Sequence, residues 1–594
     1  MLPHAPWLVW AVPIAGCLLT PILARVHGKL RDWFAFLFAV VSSTFALSML
    51  PDAFYGGSAD IQMPWIPHLS LQLGVLVDPL SVFMACIVSF IGALILLYSI
   101  GYMAGEEGLT RYYFFMLLFI GGMIGLVMAD NLLQLYIFWE VVGLCSYALI
   151  GFWYKRPEAV RAGMKAFIVT RVGDVCLLAG ILMLYLHTGT FAFSSIREAA
   201  EGLDASTLST VALLMFGGAV GKSAQFPLFV WLPDAMEGPA TVSALIHAAT
   251  MVKAGVYLVA RMYTVFPQAH GYLLAVAAVG SATALLASTM ALTALDIKRV
   301  LAYSTISQIG YMMFALGLGS PGGWFASQFH LMSHALFKAL LFLCAGAVIH
   351  AVGTRDMRRM GGLRRYMPIT YSTFLVGVLS LSAIPPFNGF WSKDLILEES
   401  YGLGGSVGLL LFLAGTLTAA VTVAYSIRML ALVFLGEPPS HLRGGRVHEA
   451  PRVMTIPMVV LAVLCVLSGF LQAPLAYLMS HIFHSASLPT SLEADILPLS
   501  TSLLALAAGG LPAYLVYVRR IVPPERFTHG AFLGAVYRLL LNGYYVDWLY
   551  HRIFVDGVAF ISERSRRLQT GILNFSMLLV LISLLSLLGL LLMS

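Results

Sequence analysis

Long apolar stretches alternate with short polar segments along the whole chain, and this alternation predicts repeated membrane crossings. A helix needs about 20 mainly apolar residues to cross the hydrocarbon layer of a bilayer. About sixteen stretches meet that requirement, at residues 5–24, 33–51, 80–103, 112–129, 131–153, 164–186, 208–232, 240–263, 272–293, 298–318, 325–350, 368–399, 405–435, 453–481, 497–518 and 571–593. The pattern therefore predicts an all-α polytopic membrane protein, with these stretches as spans 1 to 16.

Lysine and arginine are concentrated in every second loop, as expected if those loops face the cytoplasm. The loops after odd-numbered spans contain Arg25, Lys29, Arg31, Arg111, Lys155, Arg156, Arg161, Lys298, Arg299, Arg355, Arg358, Arg359, Arg364, Arg365, Arg443, Arg446, Arg452, Arg519, Arg520 and Arg526. Segment 51–78 contains none, and Arg197 and Arg261 are exceptions. This distribution predicts a multi-pass protein of the cell inner membrane, with both termini on the outer face.

The composition favours lipid over water as the surrounding medium. Of the 594 residues, 60% are hydrophobic and only 10% are charged, whereas about a quarter are charged in soluble domains. The formal net charge of +6 comes from basic residues in short loops, so no nucleic-acid partner is expected. The six cysteines stand singly in apolar stretches. We therefore expect neither a metal site nor a redox cofactor on this chain.

Two oppositely charged residues lie inside predicted spans of the first half. Glu140 falls in span 5 and Lys222 in span 7. Each ionisable side chain at that depth costs roughly 2.5–3.5 kcal/mol on insertion scales, which makes both residues functional candidates. Pairing Glu140 with Lys222 would keep both charged. The alternative is a buried ion pair that only joins two helices.

Spans 7 and 12 both contain prolines that break a helix. Pro227 follows Lys222, and the pair Pro385 and Pro386 precedes Lys393. A proline inside a helix removes a backbone hydrogen bond, and unwound backbone at membrane depth survives only where it faces protein or water. Because transporters place ion sites at such discontinuous helices, we predict that both lysines belong to an ion pathway.

Histidine and lysine are also found inside spans 8 and 11. His330, His334 and Lys338 are spaced i, i+4 and i+8, which puts all three on one helix face. Since imidazole titrates near neutral pH, this stripe predicts a proton relay. A metal site at the two histidines would need further ligands, and none is suitably placed. His247 and Lys253 in span 8 are six residues apart and project in different directions.

The remaining charged residues near the spans have simpler interpretations. Arg171 and Asp174 in span 6 are three residues apart and can pair with each other. Asp296, Lys298 and Arg299 stand where span 10 begins. A solvated cluster at a helix end accounts for these three residues.

Seven stretches of the chain carry long sequence words of one membrane-protein family. They are ADNLLQLYIFWEVVGLCSY (129–147), FIVTRVGD (167–174), GKSAQFPLFVWLPDAM (221–236), SALIHAATMV (243–252), DIKRVLAYS (296–304), HALFKAL (334–340) and PPFNGFWSKD (385–394). Together they resemble chain 5 (subunit L) of the proton-translocating NADH-quinone oxidoreductases of respiratory complex I, within the antiporter-like superfamily. The resemblance is close over residues 75–435 and looser at the ends.

This resemblance implies an all-helical fold in which spans 4–8 and 9–13 form two inverted five-helix repeats. It also implies a set of residues for the proton path, carried over by motif. The path comprises Glu140, Lys222, His247, Lys253, His330, His334, Lys338 and Lys393, with Arg171, Asp174 and Asp394 as supporting residues. Glu140 and Lys222 match the charged pair of the first channel, and Lys393 matches the lysine that serves the outer exit.

The same resemblance suggests how the chain is organised. Three N-terminal spans (1–111), the first repeat (112–264), the second repeat (265–436), two additional spans (437–519), an amphipathic lateral segment (520–570) and the final span (571–594) are predicted. In the family a long lateral helix runs along the membrane arm, and Val546–Tyr550 match its start. Only about twenty residues then remain before the final span, so we expect a shortened arm.

The implied function is that of a membrane subunit of a complex I-like NADH-quinone oxidoreductase. This enzyme would move protons through the present chain while NADH, FMN, iron–sulfur clusters and quinone react on partner subunits. Four alternatives stay open: a subunit of a multisubunit sodium/proton antiporter, of a membrane-bound hydrogenase, of an F(420)H(2) dehydrogenase, or of an inorganic-carbon uptake system. The sequence shows no cluster of carboxylate and carbonyl ligands that would indicate a sodium site.

Overall fold

The structure is a computed structural model that describes residues 1–66, 71–266, 269, 271–439, 447–483, 488, 496–523, 526, 530–566 and 573–593. It consists of two compact units, Met1–Thr528 and His529–Ser594. Arg443 and Arg446, which belong to the predicted basic loops, lie outside the described residues.

Helices make up nearly all of the first unit. The helices of its first part are α1 (Ala5–Val26), α2 (Gly28–Phe54), α3 (Pro79–Tyr102), α4 (Leu109–Met128), α5 (Leu132–Ile150), α6 (Pro157–Thr188), α7 (Phe193–Ala200), α8 (Ala205–Lys222), α9 (Trp231–Asp234), α10 (Ala240–Ala248) and α11 (Met251–Arg261). Those of its second part are α12 (Tyr272–Thr293), α13 (Ile297–Gly317), α14 (Pro321–Val352), α15 (Pro368–Leu381), α16 (Asn388–Gly402), α17 (Gly405–Phe434), α18 (Arg452–Leu467), α19 (Gln472–Ser480) and α20 (Ile496–Ala513).

The helical, polytopic architecture predicted from the apolar pattern is confirmed. Within the described ranges, fourteen helical stretches are long and apolar enough to cross a membrane. Predicted span 12 is divided between the shorter helices α15 and α16 because the chain unwinds at its prolines. The total of sixteen spans and the inverted relation of the two repeats stay predictions.

A β-hairpin between α2 and α3 was missed by the sequence analysis. Strand β1 (Ala59–Ile66) pairs antiparallel with β2 (Leu71–Val77). The hairpin lies against α5, since the side-chain amide of Gln134 bonds the backbone N–H and C=O of Gly74 at 3.0 and 2.8 Å. Pro64 inside β1 hides the strand, because proline is a poor strand residue and the apolar positions do not alternate.

Spans 7 and 12 are both broken, as their prolines predict, and the two breaks share one backbone feature. An alanine two residues after the end of the first half-helix has a left-handed conformation, with φ of 50° at Ala224 and 57° at Ala383. Left-handed backbone is unfavourable for a residue with a Cβ. Each break is therefore imposed by the surrounding packing.

Span 8 contains a third break, which no proline or glycine announces. α10 ends at Ala248 and α11 begins at Met251, and the hydroxyl of Thr250 donates to the carbonyl of Leu245 at 2.8 Å. The local sequence of alanine and threonine gave no signal for this interruption. It places Lys253 in the first turn of a new half-helix.

Arg261, an exception in the charge pattern, is explained by a specific ion pair. Its guanidinium donates to Asp78 Oδ1 at 3.0 Å and to Ser81 Oγ at 2.7 Å. Asp78 caps the N-terminus of α3. Burial raises the pKa of Asp78, but Arg261 and the Ser81 hydrogen bonds outweigh it and hold that pKa below its usual range. This arginine therefore fastens α11 to α3.

The second unit contains the predicted lateral segment and the last apolar helix. Its helices are α21 (Ala531–Leu541), α22 (Val546–Tyr550), α23 (Gly557–Arg566) and α24 (Leu573–Met593). A kink with positive φ at Tyr544 and Tyr545 separates α21 from α22, so the lateral segment is not one straight helix. Parts of the predicted range 520–570 lie outside the described residues.

Candidate functional site

A buried ion pair lies where α6 and α8 meet. The ammonium of Lys222 is 3.2 Å from Asp174 Oδ2, and both side chains are fully inaccessible to solvent. The indole of Trp139 on α5 donates to Asp174 Oδ1 at 2.6 Å. Arg171 approaches the same carboxylate at 3.9 Å. Both oxygens of Asp174 are thus engaged, and one carboxylate faces two cations.

The predicted pairing of Glu140 with Lys222 is wrong in this structure. Glu140 accepts a hydrogen bond from the guanidinium of Arg171. The side chains of this pair are 23% and 35% exposed, so it lies at the edge of the bundle. The sequence placed Glu140 and Asp174 correctly inside spans 5 and 6 but could not show which helix faces meet. The alternative pairing of Arg171 with Asp174 is present only as the long 3.9 Å contact.

Glycines make room for the lysine at the end of α8. A Cβ on Gly143 would lie 2.6 Å from Lys222 Nζ, and a Cβ on Gly173 would lie 2.7 Å from the carbonyl oxygen of Gly217. The Trp231 indole donates to the Gly221 carbonyl at 3.1 Å, which fastens the second half of the broken span to the end of the first. Close packing of backbone on backbone therefore fixes the position of Lys222.

A second polar cluster joins α11, α14 and α16. Lys253 Nζ lies 3.0 Å from His334 Nδ1 and donates to the Leu331 carbonyl at 3.0 Å. His330 Nδ1 lies 2.9 Å from the hydroxyl of Ser392. The two imidazole rings are 6.4 Å apart between centroids. The predicted stripe on span 11 therefore does face polar partners on neighbouring helices.

His247 on α10 and Lys338 on α14 are two further buried titratable side chains. Both ring nitrogens of His247 lack hydrogen-bond partners in the described part of the chain, and its ring centroid is 4.6 Å from that of Phe342. Lys338 donates to the hydroxyl of Ser304 and to the Leu301 carbonyl, the latter at 3.2 Å. Both side chains are fully buried. The imidazole is thus free to bond a water molecule.

Lys393 lies in the second broken span, beyond the histidines. Its ammonium donates to the Leu381 carbonyl at 2.7 Å, at the end of α15, and lies 5.6 Å from the ring centroid of Tyr311. A cation at the C-terminus of a helix is stabilised by the unpaired carbonyls there. The neighbouring Asp394 accepts a hydrogen bond from Ser502 on α20 at 2.7 Å.

A hydrogen bond between neighbours of Lys222 and Lys253 connects the two clusters. The hydroxyl of Ser223, the residue after Lys222, donates to the carbonyl of Val252, the residue before Lys253, at 2.8 Å. A Cβ on Gly255 would lie 2.3 Å from that hydroxyl. The lysines themselves are not within hydrogen-bond distance of each other in the described residues. A proton could pass between the two lysines only through an intermediate group.

Several buried polar groups that the sequence analysis missed lie along this region. Unpartnered polar atoms, as far as the described residues go, are present on Gln225, Ser307, Gln308, Ser327 and Gln328. Buried polar atoms without protein partners normally bond ordered water. Their only signal in the sequence was a polar residue inside an apolar span.

The cluster at the start of α13 is not the solvated helix end that the sequence suggested. Lys298 is only 3% exposed and donates to the carbonyls of Met236 and Gly238 at 2.7 and 2.6 Å. Asp296 pairs with Arg355 at 3.2 Å. These contacts fasten α13 to the chain between α9 and α10. Over the residues described, no group of three or more His, Cys, Asp or Glu side chains is arranged to hold a metal ion.

Two family descriptions match the chain. "NADH:quinone oxidoreductase/Mrp antiporter, TM" matches residues 129–419, and "NADH-Ubiquinone oxidoreductase (complex I), chain 5 N-terminus" matches residues 63–113. The first range contains the residues of both polar clusters, together with His247, Lys338, Lys393 and Asp394. The matched region and the buried polar network therefore coincide.

Curated relatives match over nearly the full length. NAD(P)H-quinone oxidoreductase chain 5 of Picosynechococcus sp. is 42% identical, with 96% of this chain and 91% of the relative covered. The same chain of Synechocystis sp. is 40% identical, with 98% and 95% covered. F(420)H(2) dehydrogenase subunit L of Methanosarcina mazei is 41% identical, with 84% of each covered.

Two solved structures share the fold. A chain of the Mrp complex from Dietzia sp. DQ12-45-1b has a TM-score of 0.81 and 30% identity over 98% of this chain, which spans 62% of that longer chain. A chain of the membrane-bound sulfane sulfur reductase, an archaeal respiratory membrane complex, has a TM-score of 0.80 and 26% identity, with 98% and 99% covered. All these proteins are subunits of membrane complexes.

Proposed function

The chain belongs to the chain 5 family of NAD(P)H-quinone oxidoreductases, and from that premise we propose that its buried lysines and histidines carry the translocated protons. The observation that carries this proposal is the Lys222–Asp174 pair, fully buried beside a broken helix. A buried ion pair stabilises a fold weakly, because desolvation cancels much of the attraction. A role in charge movement accounts for its presence better than a structural role.

The first step of the proposed mechanism is an exchange of ion-pair partners. Asp174 faces Lys222 at 3.2 Å and Arg171 at 3.9 Å, while Arg171 is also held by Glu140. If Arg171 left Glu140 and moved onto Asp174, Lys222 would lose its counter-ion. A buried ammonium without a partner gives up its proton. The partner exchange is thus a switch that releases a proton into the bundle.

The released proton then travels through the second cluster. His247 and the unpartnered amides and hydroxyls supply sites for bridging water, and Lys253 passes the proton to His334 across 3.0 Å. His330 and Ser392 continue the route towards Lys393. Lys338 contributes a charge beside this route, and Asp394 stands at the exit. Imidazole suits the relay because each ring nitrogen can take or give a proton.

The finer assignments belong to the same proposal. We place the chain in the cell inner membrane with both termini outside, and we assign 112–264 and 265–436 to two inverted repeats. The enzyme is a proton-translocating oxidoreductase in which NADH, FMN, iron–sulfur clusters and quinone react on other membrane-arm or peripheral subunits. The kinked helices α21 to α23 form a lateral arm shorter than that of the family.

Proton transport by the purified, intact complex tests the proposal. In proteoliposomes, Lys222→Ala should lower substrate-driven proton uptake at least tenfold, because the first switch lacks its cation. Lys155→Ala is the matched control: Lys155 pairs with Glu107 at 2.8 Å in an exposed loop, and its loss should leave transport unchanged. Normal uptake by an assembled Lys222→Ala complex would refute the proposed path. Mass spectrometry of the same preparation identifies the partner chains.

Sodium/proton antiport is a second candidate function, favoured by the TM-score of 0.81 with the Mrp chain. The two functions differ in what drives transport. Antiport would give proton movement on a sodium gradient without an electron donor, whereas the oxidoreductase would need the donor and would work in sodium-free buffer. Measuring proton uptake under these two conditions distinguishes them.

A further inference from the structure

A polar cavity lies outside the proposed proton path, at the predicted outer ends of α4 to α7. Its volume is about 210 Å³, which is room for several water molecules. Its lining comes from β1, from β2, from the α4–α5 connection and from the segment 185–195 that runs from the end of α6 to the start of α7, and it includes Gln62, Gln72, Asp130, Asn131, Thr190 and Ser195. Four separate segments therefore bring oxygen-bearing side chains to one place.

Asp130 is the charged residue of this cavity. It is only 1% exposed, and its Oδ1 accepts a hydrogen bond from the Asn131 amide at 2.6 Å. Its Oδ2 accepts no hydrogen bond within the described residues. The Gln62 amide donates to Asp60 at 2.8 Å and is also close enough to Asp130 to lower the pKa of its carboxyl group. A buried carboxylate oxygen left without a partner is costly, so a ligand that supplies positive charge would be favoured there.

The protein supplies no such charge of its own. The described residues that line the cavity include no lysine, arginine or histidine. Arg261 lies 5.8 Å from the ring centroid of Phe193, but its guanidinium is bonded to Asp78 and Ser81. Asp60 on β1 adds a second negative charge nearby. The field in the cavity is therefore negative and uncompensated.

We propose that this cavity binds one partly hydrated alkali cation from the outer solution, with Asp130 as its charged ligand. Carboxylate, amide and hydroxyl oxygens are the ligands that hard cations prefer. Divalent calcium usually takes several carboxylates, whereas a single free carboxylate oxygen balances a monovalent ion. The site goes beyond the proposed function, since Asp130 contacts none of the residues of the proton path.

A proton competes with the cation for the same carboxylate. The pKa of Asp130 is raised to about 6, because burial and, less strongly, the nearby Asp60 raise it by more than the hydrogen bonds of Asn131 and Gln62 lower it. The other titratable side chain that lines the cavity is that of Tyr185 on α6. Below about pH 6 the protonated carboxyl has no charge to offer. The cation should therefore bind at neutral and alkaline pH and leave as the pH falls through 6.

The sequence analysis did not find this site because its residues are far apart along the chain. The hairpin brings Gln62 and Gln72 over the connection that holds Asp130, and a Cβ on Gly74 would lie 2.1 Å from Asp130 Oδ2. Glycine at that position lets the strand pass directly over the carboxylate. Because the hairpin was not predicted, nothing in the sequence distinguished Asp130 from an ordinary residue between two spans.

Hydrogen exchange of the intact purified complex tests the proposal. Peptides covering residues 71–77 and 189–196 are compared in sodium chloride, potassium chloride and choline chloride at equal ionic strength. At pH 8, sodium should slow their exchange at least threefold relative to choline, and the effect should vanish at pH 5. A potassium effect of similar size would show that the site accepts alkali ions generally, and a smaller one that it favours sodium.

Two variants and one control assign the effect to the cavity. Asp130→Asn keeps the shape, removes the charge and should abolish the sodium effect. Ser195→Ala should weaken the sodium effect about twofold. This variant replaces Asp130→Asn as the test if the Asp130→Asn complex does not assemble. Asp204→Asn is the control, because Asp204 is an exposed carboxylate on the same predicted face that caps α8 through the Thr207 amide at 2.9 Å. It should keep the full effect.

Equal exchange in sodium and choline would overturn the proposal, as would protection that persists in Asp130→Asn. A response to pH without a response to sodium would assign only a proton to Asp130 and would also overturn it. The readout does not depend on proton transport. Failure of the cation site is therefore distinguishable from failure of the proton path.

Discussion

The two halves of the buried path hold their lysines in different ways. In the first half, Lys222 meets the carboxylate of Asp174 at 3.2 Å. In the second half of the path, which begins at Lys253 near the end of the first predicted repeat, Lys253, Lys338 and Lys393 contact backbone carbonyls, a hydroxyl and an imidazole. No carboxylate lies within ion-pair distance of these three in the ranges that the structure describes. One half stores charge in an ion pair, and the other surrounds each ammonium with neutral dipoles.

The contrast is sharpest at one helix position. α6 and α14 are both 32 residues long, and Asp174 has the same place in α6, counted from Pro157, that Lys338 has in α14, counted from Pro321. The carboxylate accepts a hydrogen bond from Trp139 on α5, and the ammonium donates one to Ser304 on α13. Positions that are equivalent under the predicted repeats thus carry opposite charges. This inversion fits a proton that is released in one half and received in the other.

The largest expected effect is a difference in the stability of the complex when Lys222 or Lys338 is replaced by methionine. Lys222→Met leaves Asp174 buried without its main counter-ion, and breaking a buried pair in this way costs about 3–5 kcal/mol. Lys338→Met removes a cation that has only neutral partners, so it should cost about 1–3 kcal/mol. Heating the detergent-solubilised complexes and measuring the intact fraction by size exclusion should rank Lys222→Met clearly below Lys338→Met.

A charge-balanced double variant is the control for that ranking. Asp174→Asn combined with Lys222→Met removes both charges, so the stability lost in the single variant should largely return. Proton transport should stay absent, because the switch is gone. If the double variant is no more stable than Lys222→Met alone, the ion pair does not explain the difference between the halves.

The next largest effect is a difference in proton transport between variants of Asp174 and of Glu140, the two carboxylates of the first half. Asp174→Asn removes the group that contacts Lys222 and should lower proton transport at least tenfold. Glu140→Gln acts only through Arg171 and should lower it several-fold, since Arg171 would then rest on Asp174. Transport in proteoliposomes, normalised to the amount of assembled complex, measures both variants. Equal losses would mean that Glu140 and Lys222 communicate more directly than their contacts indicate.

These residues show what the sequence could and could not predict. Buried charges inside apolar spans identified Lys222 and Lys338 because their insertion is costly wherever they sit, whereas Asp174 was interpreted from the sequence as a simple partner of Arg171. The partner of Lys222 was predicted wrongly, because periodicity gives the face of each helix but not the rotation of one helix against another. Prolines predicted two of the three breaks. The third, at Thr250, is set by packing alone.

The polar partners of the second half were the least predictable part of the site. Ser304, Gln308 and Ser392 are short or neutral side chains whose presence in a span is common, so nothing in the sequence distinguished them. Their role follows only from proximity to Lys338 and His330. The half that uses neutral dipoles is thus harder to read from sequence than the half that uses an ion pair.

A smaller effect on proton transport is expected when the space around Lys222 is reduced. A Cβ at Gly143 would lie 2.6 Å from the ammonium, which ends a flexible side chain and can shift. Gly143→Ala should therefore leave assembly intact and lower proton transport a few-fold by lengthening the Asp174 contact. Gly402→Ala is the control, since a Cβ there meets nothing within 4 Å. An unchanged transport rate in Gly143→Ala would show that the pair tolerates displacement.

The smallest expected effect concerns the starts of α5 and α13, which correspond under the predicted repeats. The side chain of Asn131 caps α5 by accepting a hydrogen bond from the backbone N–H of Gln134 at 2.8 Å. The side chain of Asp296 caps α13 in the same way, by accepting from the backbone N–H of Lys298 at 2.8 Å. Asp296→Asn should keep the cap and lose the contact with Arg355, which retains Glu237 at 2.9 Å. The cost should therefore stay below about 1 kcal/mol.

Asp296→Ala loses the cap as well and should cost about 1 kcal/mol more, a difference that thermal unfolding of the complex can resolve. Asn131→Ala should show a similar cap loss in the first half. If Asp296→Asn were as harmful as Asp296→Ala, the charge of Asp296 and not its cap would matter. The second half would then depend on an ion pair after all, at the inner end of α13 and not at its lysines.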